Sequence, residues 1–129
     1  MDIGEQHALV SFVGELIRIR EFEQHTLPIQ HSALARDLFI LIAYHTLKGE
    51  PISLKTLFYS VDFSEIGARK HLKRFLDEGW CSIRPSEQDK RKKYVVGEAK
   101  MLDAIRLYSQ SATISMKPLT PSDPSGSSD

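Results

Sequence analysis

Between Ser64 and Lys93 the chain carries 9 Lys or Arg side chains against 5 Asp or Glu, although the whole protein has 17 of each. The flanking segments are acidic by comparison, with 5 against 8 over residues 1–63 and 3 against 4 over residues 94–129. A balanced total argues against a protein that coats nucleic acid indiscriminately. A local cationic surface still acts on phosphate within a Debye length of about 8–10 Å. The cations fall into two groups. One is "SEIGARKHLKRFLDE", residues 64–78, and the other is the run "DKRKK", residues 89–93.

Successive side chains of a helix lie about 100° apart, so Ala68, Leu72, Phe75 and Leu76 share one face of the first group. Ile66, Arg69, Lys70, Lys73 and, farther along, Asp77 share the opposite face. Arg and Lys reach guanine edges or phosphates in a major groove, and an exposed Ile can cover a thymine methyl. The competing reading is a solvated helix surface, which most charged runs are. An Ile on that face, beside three cations, gains nothing from water. The second group sits at the tip of an expected hairpin. Such a tip can lie along a nucleic-acid backbone while one Arg enters the narrow, electronegative minor groove. Arg91 is the residue expected there. Asp89, two residues away, is expected to fix the guanidinium, because a carboxylate aimed at phosphate would repel it.

The elements that must hold these residues follow from periodicity and punctuation. Leu9, Phe12, Val13, Leu16, Ile17 and Ile19 recur at helical steps, which predicts an amphipathic helix from Ile3 to about Glu23. Pro28 ends it in a short loop. Ser32 caps a largely apolar helix that stops at Gly49 and Pro51. Ser53 caps a short helix, "VDF" turns, and Ser64 caps the recognition helix, 64–78, with Gly79 at its end. "WCSIR" and "KYVV" read as two strands around a polar tip, giving a wing over residues 84–96. A last helix is expected from Glu98 to about Ser109, with Met101, Leu102, Ile105 and Tyr108 on one stripe. The expected fold class is mainly α with a small β-hairpin wing, a winged helix-turn-helix with a flanking helix on either side. Its expected units are residues 1–31, the first helix and loop; 32–97, the winged helix-turn-helix DNA-binding domain; 98–111, the last helix; and 112–129, a disordered tail.

Residues 52–96 resemble the DNA-binding core of the MarR-type winged-helix transcriptional regulators. The resemblance is carried by "ARKHLKRFLDEGW" and by the triplet Asp89, Lys90, Arg91, which matches the D-x-R wing motif of that family. It implies a homodimer whose first and last helices, within residues 1–31 and 98–111, are flanking dimerisation helices that intertwine, two winged lobes on a pseudo-palindromic operator, and Arg91 in the minor groove. Two features depart from the pattern. Val96 and Gly97 stand where a threonine is often found, and the terminal helical region is short. The stripes of "LVSFVGELIRI" and "MLDAIRLY" are the expected surfaces for a second copy.

The chemistry expected is therefore sequence-specific binding of double-stranded DNA by a homodimeric transcriptional regulator. Ser64, Ile66, Arg69 and Lys70 would read or position the major groove. Lys73, Arg74, Lys90, Lys92 and Lys93 would hold phosphate. An effector, if one binds, belongs between the dimer helices and the DNA-binding lobe. The alternative is a winged-helix protein-interaction module that docks an acidic partner and never binds DNA. No Ser, His and Asp arrangement, phosphate-binding glycine loop or paired carboxylate suggests an enzyme. His7, His25, His31, His45 and His71 lack ligand spacing, so neither metal nor cofactor is expected. Cys81 reads as a small buried side chain rather than a redox switch, and Trp80 as a plug beneath the wing. The longest apolar run, "LFILIAY", is far short of the roughly 20 residues that span a membrane. With an acidic start that is unlike a secretory signal, it points to a cytoplasmic protein.

Overall fold

The computed structural model describes residues 1–61 and 64–116. Five helices and three short strands follow in the order α1 (Ile3–Thr26), α2 (Ala33–Leu47), β1 (Ile52–Ser53), α3 (Leu54–Tyr59), α4 (Glu65–Asp77), β2 (Cys81–Pro85), β3 (Lys93–Gly97) and α5 (Ala99–Met116). No helix among the described residues is long and apolar enough to cross a membrane.

Side-chain caps start the helices where the sequence places them. Ser32, Ser53 and Ser64 accept hydrogen bonds from the backbone N–H groups of Ala35, Thr56 and Gly67 respectively. Each satisfies one of the donors that a first helical turn leaves unpaired. Gly49 and Gly79 adopt φ of 77° and 81° after α2 and α4, a left-handed conformation open to glycine without a Cβ clash. α1 runs to Thr26, three residues past the expected end, before Leu27 and Ile29 bury and turn the chain. In that turn Gln30 and His31 both take positive φ, and the His31 N–H donates to Gln24 Oε1 at 2.8 Å.

The core is built on α2. Leu38, Phe39 and Ile42 are fully buried there, and Leu57, Phe75, Val95 and Met101 close on them from α3, α4, β3 and α5. Phe39 meets the ring of Phe75 edge-on at 5.7 Å and that of Trp80 at 5.6 Å. Trp80 thus plugs the base of the wing. Its indole N–H donates to Glu78 and the Lys100 ammonium lies 4.2 Å over its ring. Gly97 packs β3 against the helices: a Cβ there would stand 2.7 Å from Met101 Sδ, and its N–H donates to Thr46 Oγ1 at 2.8 Å.

Three departures from expectation have physical causes. The wing is a three-stranded antiparallel sheet of order β1-β3-β2 rather than a two-stranded hairpin, because Ile52 and Ser53 pair with Val95 and Tyr94. A two-residue strand has no period to read. α5 continues to Met116, well past Ser109. Residues 117–129, most of the expected tail, lie outside the described residues, as do residues 62 and 63 of the "VDF" turn. Finally, the "MLDAIRLY" stripe folds inward. Met101 is fully buried and Ile105 and Tyr108 pack on the same core, while Leu107 is the large apolar side chain that faces out among the described residues of α5.

Candidate nucleic-acid interface

α3 and α4 form the helix-turn-helix, and α4 divides as its helical spacing requires. Ala68, Leu72 and Phe75 are buried, and Gly67 brings the helix close to α2, since a Cβ there would lie 3.1 Å from Leu34 Cδ2. On the other side Ile66 is 83% exposed, and Arg69, Lys70 and Lys73 are exposed beside it. Ser64 stands at the head of this face, its hydroxyl engaged by the Gly67 N–H at 3.2 Å.

Two of those cations carry intrahelical partners. Arg69 donates to Glu65 Oε2 from Nε at 2.8 Å and from Nη2 at 2.6 Å. Lys73 Nζ lies 2.7 Å from Asp77 Oδ2. Arg74 is placed differently from the other predicted phosphate ligands. Its side chain is only 20% exposed, lies over the Phe75 ring and sits 3.7 Å from Glu78, so it is turned away from the open face.

The wing tip is ordered by its own backbone. The Ser86 N–H donates to the Lys92 carbonyl at 2.8 Å, the Lys92 N–H to the Asp89 carbonyl at 2.9 Å, and Ser86 Oγ accepts from the N–H groups of Gln88 and Asp89. Within this loop Asp89 Oδ1 accepts from the Arg91 N–H at 3.1 Å and from Arg91 Nε at 3.2 Å. Those two bonds hold the Asp89 carboxyl below the usual carboxylate range, so it is charged at neutral pH. The Arg91 side chain nonetheless stays 91% exposed. Lys90, Lys92 and Lys93 are exposed around it. The expected Asp89–Arg91 pairing is present.

Several neighbours of these residues escaped the sequence reading. Lys55 on α3 borders a cleft of about 710 Å3 with Arg91, Lys92 and Lys93 of the wing. Arg84, on the outer wing strand, lies 3.4 Å from Glu98. Phe58 lies 4.6 Å below the Arg69 guanidinium, and Tyr59 beside it is 83% exposed. The Glu65–Arg69 pair was legible as an i,i+4 spacing. Phe58 carried no such signal, because it comes from another helix.

Behind the interface, His71 joins α4 to the cap of α2. Its Nε2 is 3.3 Å from Ser32 Oγ and its Nδ1 3.4 Å from Arg74 Nη2. Burial, then Arg74 and Lys70, hold its pKa below the ordinary 6.5. The unfolded chain therefore takes up this proton first as pH falls. The stabilisation is complete above the unfolded value and is lost as pH falls through the lower folded value. Denaturation midpoints at about pH 7.5 and about pH 5.5 should fall more steeply for the native protein than for His71→Gln. Equal slopes would remove His71 as a source of acid sensitivity.

Cys81 is buried, and burial, then Glu98, pushes its thiol up to about 12, so no thiolate forms near neutral pH. A second polar joint connects α1, α2 and α5. Glu23, 5% exposed, accepts from Arg36 Nε at 2.7 Å and from the Tyr108 hydroxyl at 2.6 Å. Burial, then the bond to Glu23, raises the Tyr108 pKa, so its hydroxyl keeps the proton it donates. Most of α1 ahead of this joint is exposed, including Val10, Val13, Leu16 and Ile17.

No protein-family model and no curated protein sequence matches the chain. Solved structures do match its fold. The transcriptional regulator Tm0710 from Thermotoga maritima superposes with a TM-score of 0.59 at 15% identity, covering 92% of this chain and 75% of that one. AbsC, a MarR family transcriptional regulator from Streptomyces coelicolor, gives 0.57 at 13% identity, covering 92% and 79%. Reduced AbfR bound to DNA gives 0.54 at 12% identity, covering 87% and 76%. At these identities the likeness is one of architecture. Among the described residues, five helices and a small antiparallel sheet in this order give the protein the MarR-type winged-helix fold.

Proposed function

We propose that this protein is a sequence-specific, double-stranded DNA-binding transcriptional regulator that acts as a homodimer on a pseudo-palindromic operator. The observation that carries the reading is the wing tip. Its backbone is tied down, and Arg91 is almost fully exposed while Asp89 fixes its guanidinium. A cation held out in one orientation suits insertion into a narrow minor groove better than it suits solvent. The exposed Ile66 face of α4 supports a companion role in the major groove. AbfR, a structural neighbour, has been seen bound to DNA.

On this reading residues 32–97 form the DNA-binding domain, while residues 1–31 and 98–111 supply the dimer helices. α4 enters the major groove with Ser64, Ile66, Arg69 and Lys70. Lys90, Lys92 and Lys93 approach phosphate, Lys73 does so only by leaving Asp77 and therefore contributes less, and Arg74 supports the helix rather than the DNA. Half-sites lie about one helical turn, roughly 10 bp, apart. An effector would enter the cleft of about 370 Å3 between α2 and α5, whose walls of Ile40, Leu47 and Ile105 suit an apolar molecule. No residue here is assigned a catalytic role. The location that fits is the cytoplasm.

Selection of bound duplexes from random sequence, followed by footprinting, tests the reading. It should yield a two-fold symmetric site. Arg91→Ala should weaken binding on the order of 10-fold, chiefly where the flanks are A·T-rich. Binding with no preference among duplexes, or an Arg91→Ala protein of unchanged affinity, would count against it. One observation favours a protein partner instead: Arg69, Lys73 and Arg91 each have a carboxylate partner within the chain, which reduces the net charge offered to phosphate. A module that docks an acidic protein through Ile66 would leave no footprint.

A further inference from the structure

We infer that Arg69 reads a guanine in each half-site, and that Glu65 and Phe58 are the positioning residues that aim it. This inference rests on the DNA-binding reading above and assigns base recognition to one side chain of the exposed α4 face.

Two restraints act on the Arg69 guanidinium. Glu65 Oε2 takes both its Nε–H, at 2.8 Å, and an Nη2–H, at 2.6 Å, which fixes the group in its own plane. The Phe58 ring lies 4.6 Å from the guanidinium carbon and supports the group from α3. A guanidinium has five N–H donors, and this arrangement leaves those on Nη1 and the outer edge of Nη2 open. That end is the fork whose two parallel bonds match O6 and N7 of guanine in the major groove. Glu65 and Arg69 also lie in the first turns of α4, the part of a recognition helix that reaches base edges.

The same carboxylate argues against a phosphate role. A side chain whose charge is already balanced releases little counterion on binding, and Glu65 beside a phosphate would repel it. Lys70 is the contrasting case. It is exposed on the same helix and has no ion-pair partner among the described residues, so its ammonium is available as a point charge. Ile66, three residues before Arg69 and 83% exposed, lies next to it on the helix surface. A thymine methyl within a base pair or two of the guanine would meet it.

The test uses the full chain and the duplex that it selects. Each guanine of the site is replaced in turn by 7-deazaguanine, which removes N7 while leaving pairing intact. One guanine per half-site should prove sensitive, costing the native protein roughly 10-fold or more in affinity and costing Arg69→Ala or Arg69→Gln almost nothing. Glu65→Gln supplies a signature that a purely structural role would not produce. Binding to a scrambled duplex should tighten several-fold, because a negative charge is gone, while the ratio of selected to scrambled affinity should fall. If Arg69→Ala instead weakens selected and scrambled duplexes by one factor, and the salt slope drops by about one, Arg69 is a phosphate ligand. That result overturns the inference and leaves the DNA-binding reading intact. A native protein with no preference among duplexes overturns both.

Discussion

Phe39→Ala is expected to lower the free energy of unfolding by about 3–5 kcal/mol, which is a large share of the roughly 5–15 kcal/mol available to a domain of ordinary stability. Phe39 is fully buried and meets Phe75 of α4 and Trp80 at the foot of the wing. Truncation removes the transfer energy of an aromatic side chain and leaves a cavity where α2, α4 and the wing converge. Gly67 already brings α4 into close contact with Leu34 of α2, which leaves these two helices little room to close further over the cavity. Urea denaturation of Phe39→Ala and Phe39→Leu provides the check, with a clearly smaller loss for Leu. A loss below about 1 kcal/mol for Ala would mean that the centre of the core has been misplaced. The consequence for DNA is indirect. α4 and the wing are both oriented on this one ring, so a partly folded variant should lose the proposed operator binding before it loses helix content.

The second large effect concerns assembly. Val13→Asp should convert the proposed dimer to a monomer at micromolar concentration and weaken operator binding by about 100-fold or more. Val10, Val13 and Ile17 recur at helical spacing along α1 and are 64%, 49% and 52% exposed. Gly14 lies among them with open space where a Cβ would stand, so another helix can come close. Among the described residues nothing covers this stripe, and a contiguous apolar face of this kind is the usual mark of an interaction surface. In a two-fold interface every substitution occurs twice, so one Asp brings two carboxylates into the same apolar seam. Separated lobes lose the high effective concentration that makes a second half-site easy to occupy. Sedimentation of native protein and variant, with operator affinity measured on the same samples, decides the matter. A native monomer, or a Val13→Asp dimer with full affinity, would rule out this seam.

Glu23 links the proposed seam on α1 to α2 and α5. The carboxylate ties Arg36 of α2 and Tyr108 of α5 to the end of α1, just behind the exposed stripe. Its bonds to Arg36 and Tyr108 span 13 and 85 residues of sequence. Neither separation leaves a periodic trace, so Glu23 reads in the sequence as one more surface acid on an amphipathic helix. It is buried where Arg36 of α2 and Tyr108 of α5 close on the end of α1.

The features legible from residue spacing are local ones. Serines at the starts of α2, α3 and α4, glycines after α2 and α4, the buried stripe of Ala68, Leu72 and Phe75, and the two-residue step from Asp89 to Arg91 all appear where spacing places them. In each case the interacting groups lie within a turn or two of one another, so backbone geometry alone brings them together. The tertiary structure decided everything that needs two distant segments to meet. It paired Ile52 and Ser53 with β3, turned the α5 stripe inward, set Phe58 under Arg69 and drew Arg74 away from the open face. A helical wheel shows which side of α4 is polar. It does not show which cation on that side meets a carboxylate and an aromatic ring, because the ring arrives from another element and its position follows from how the whole core packs.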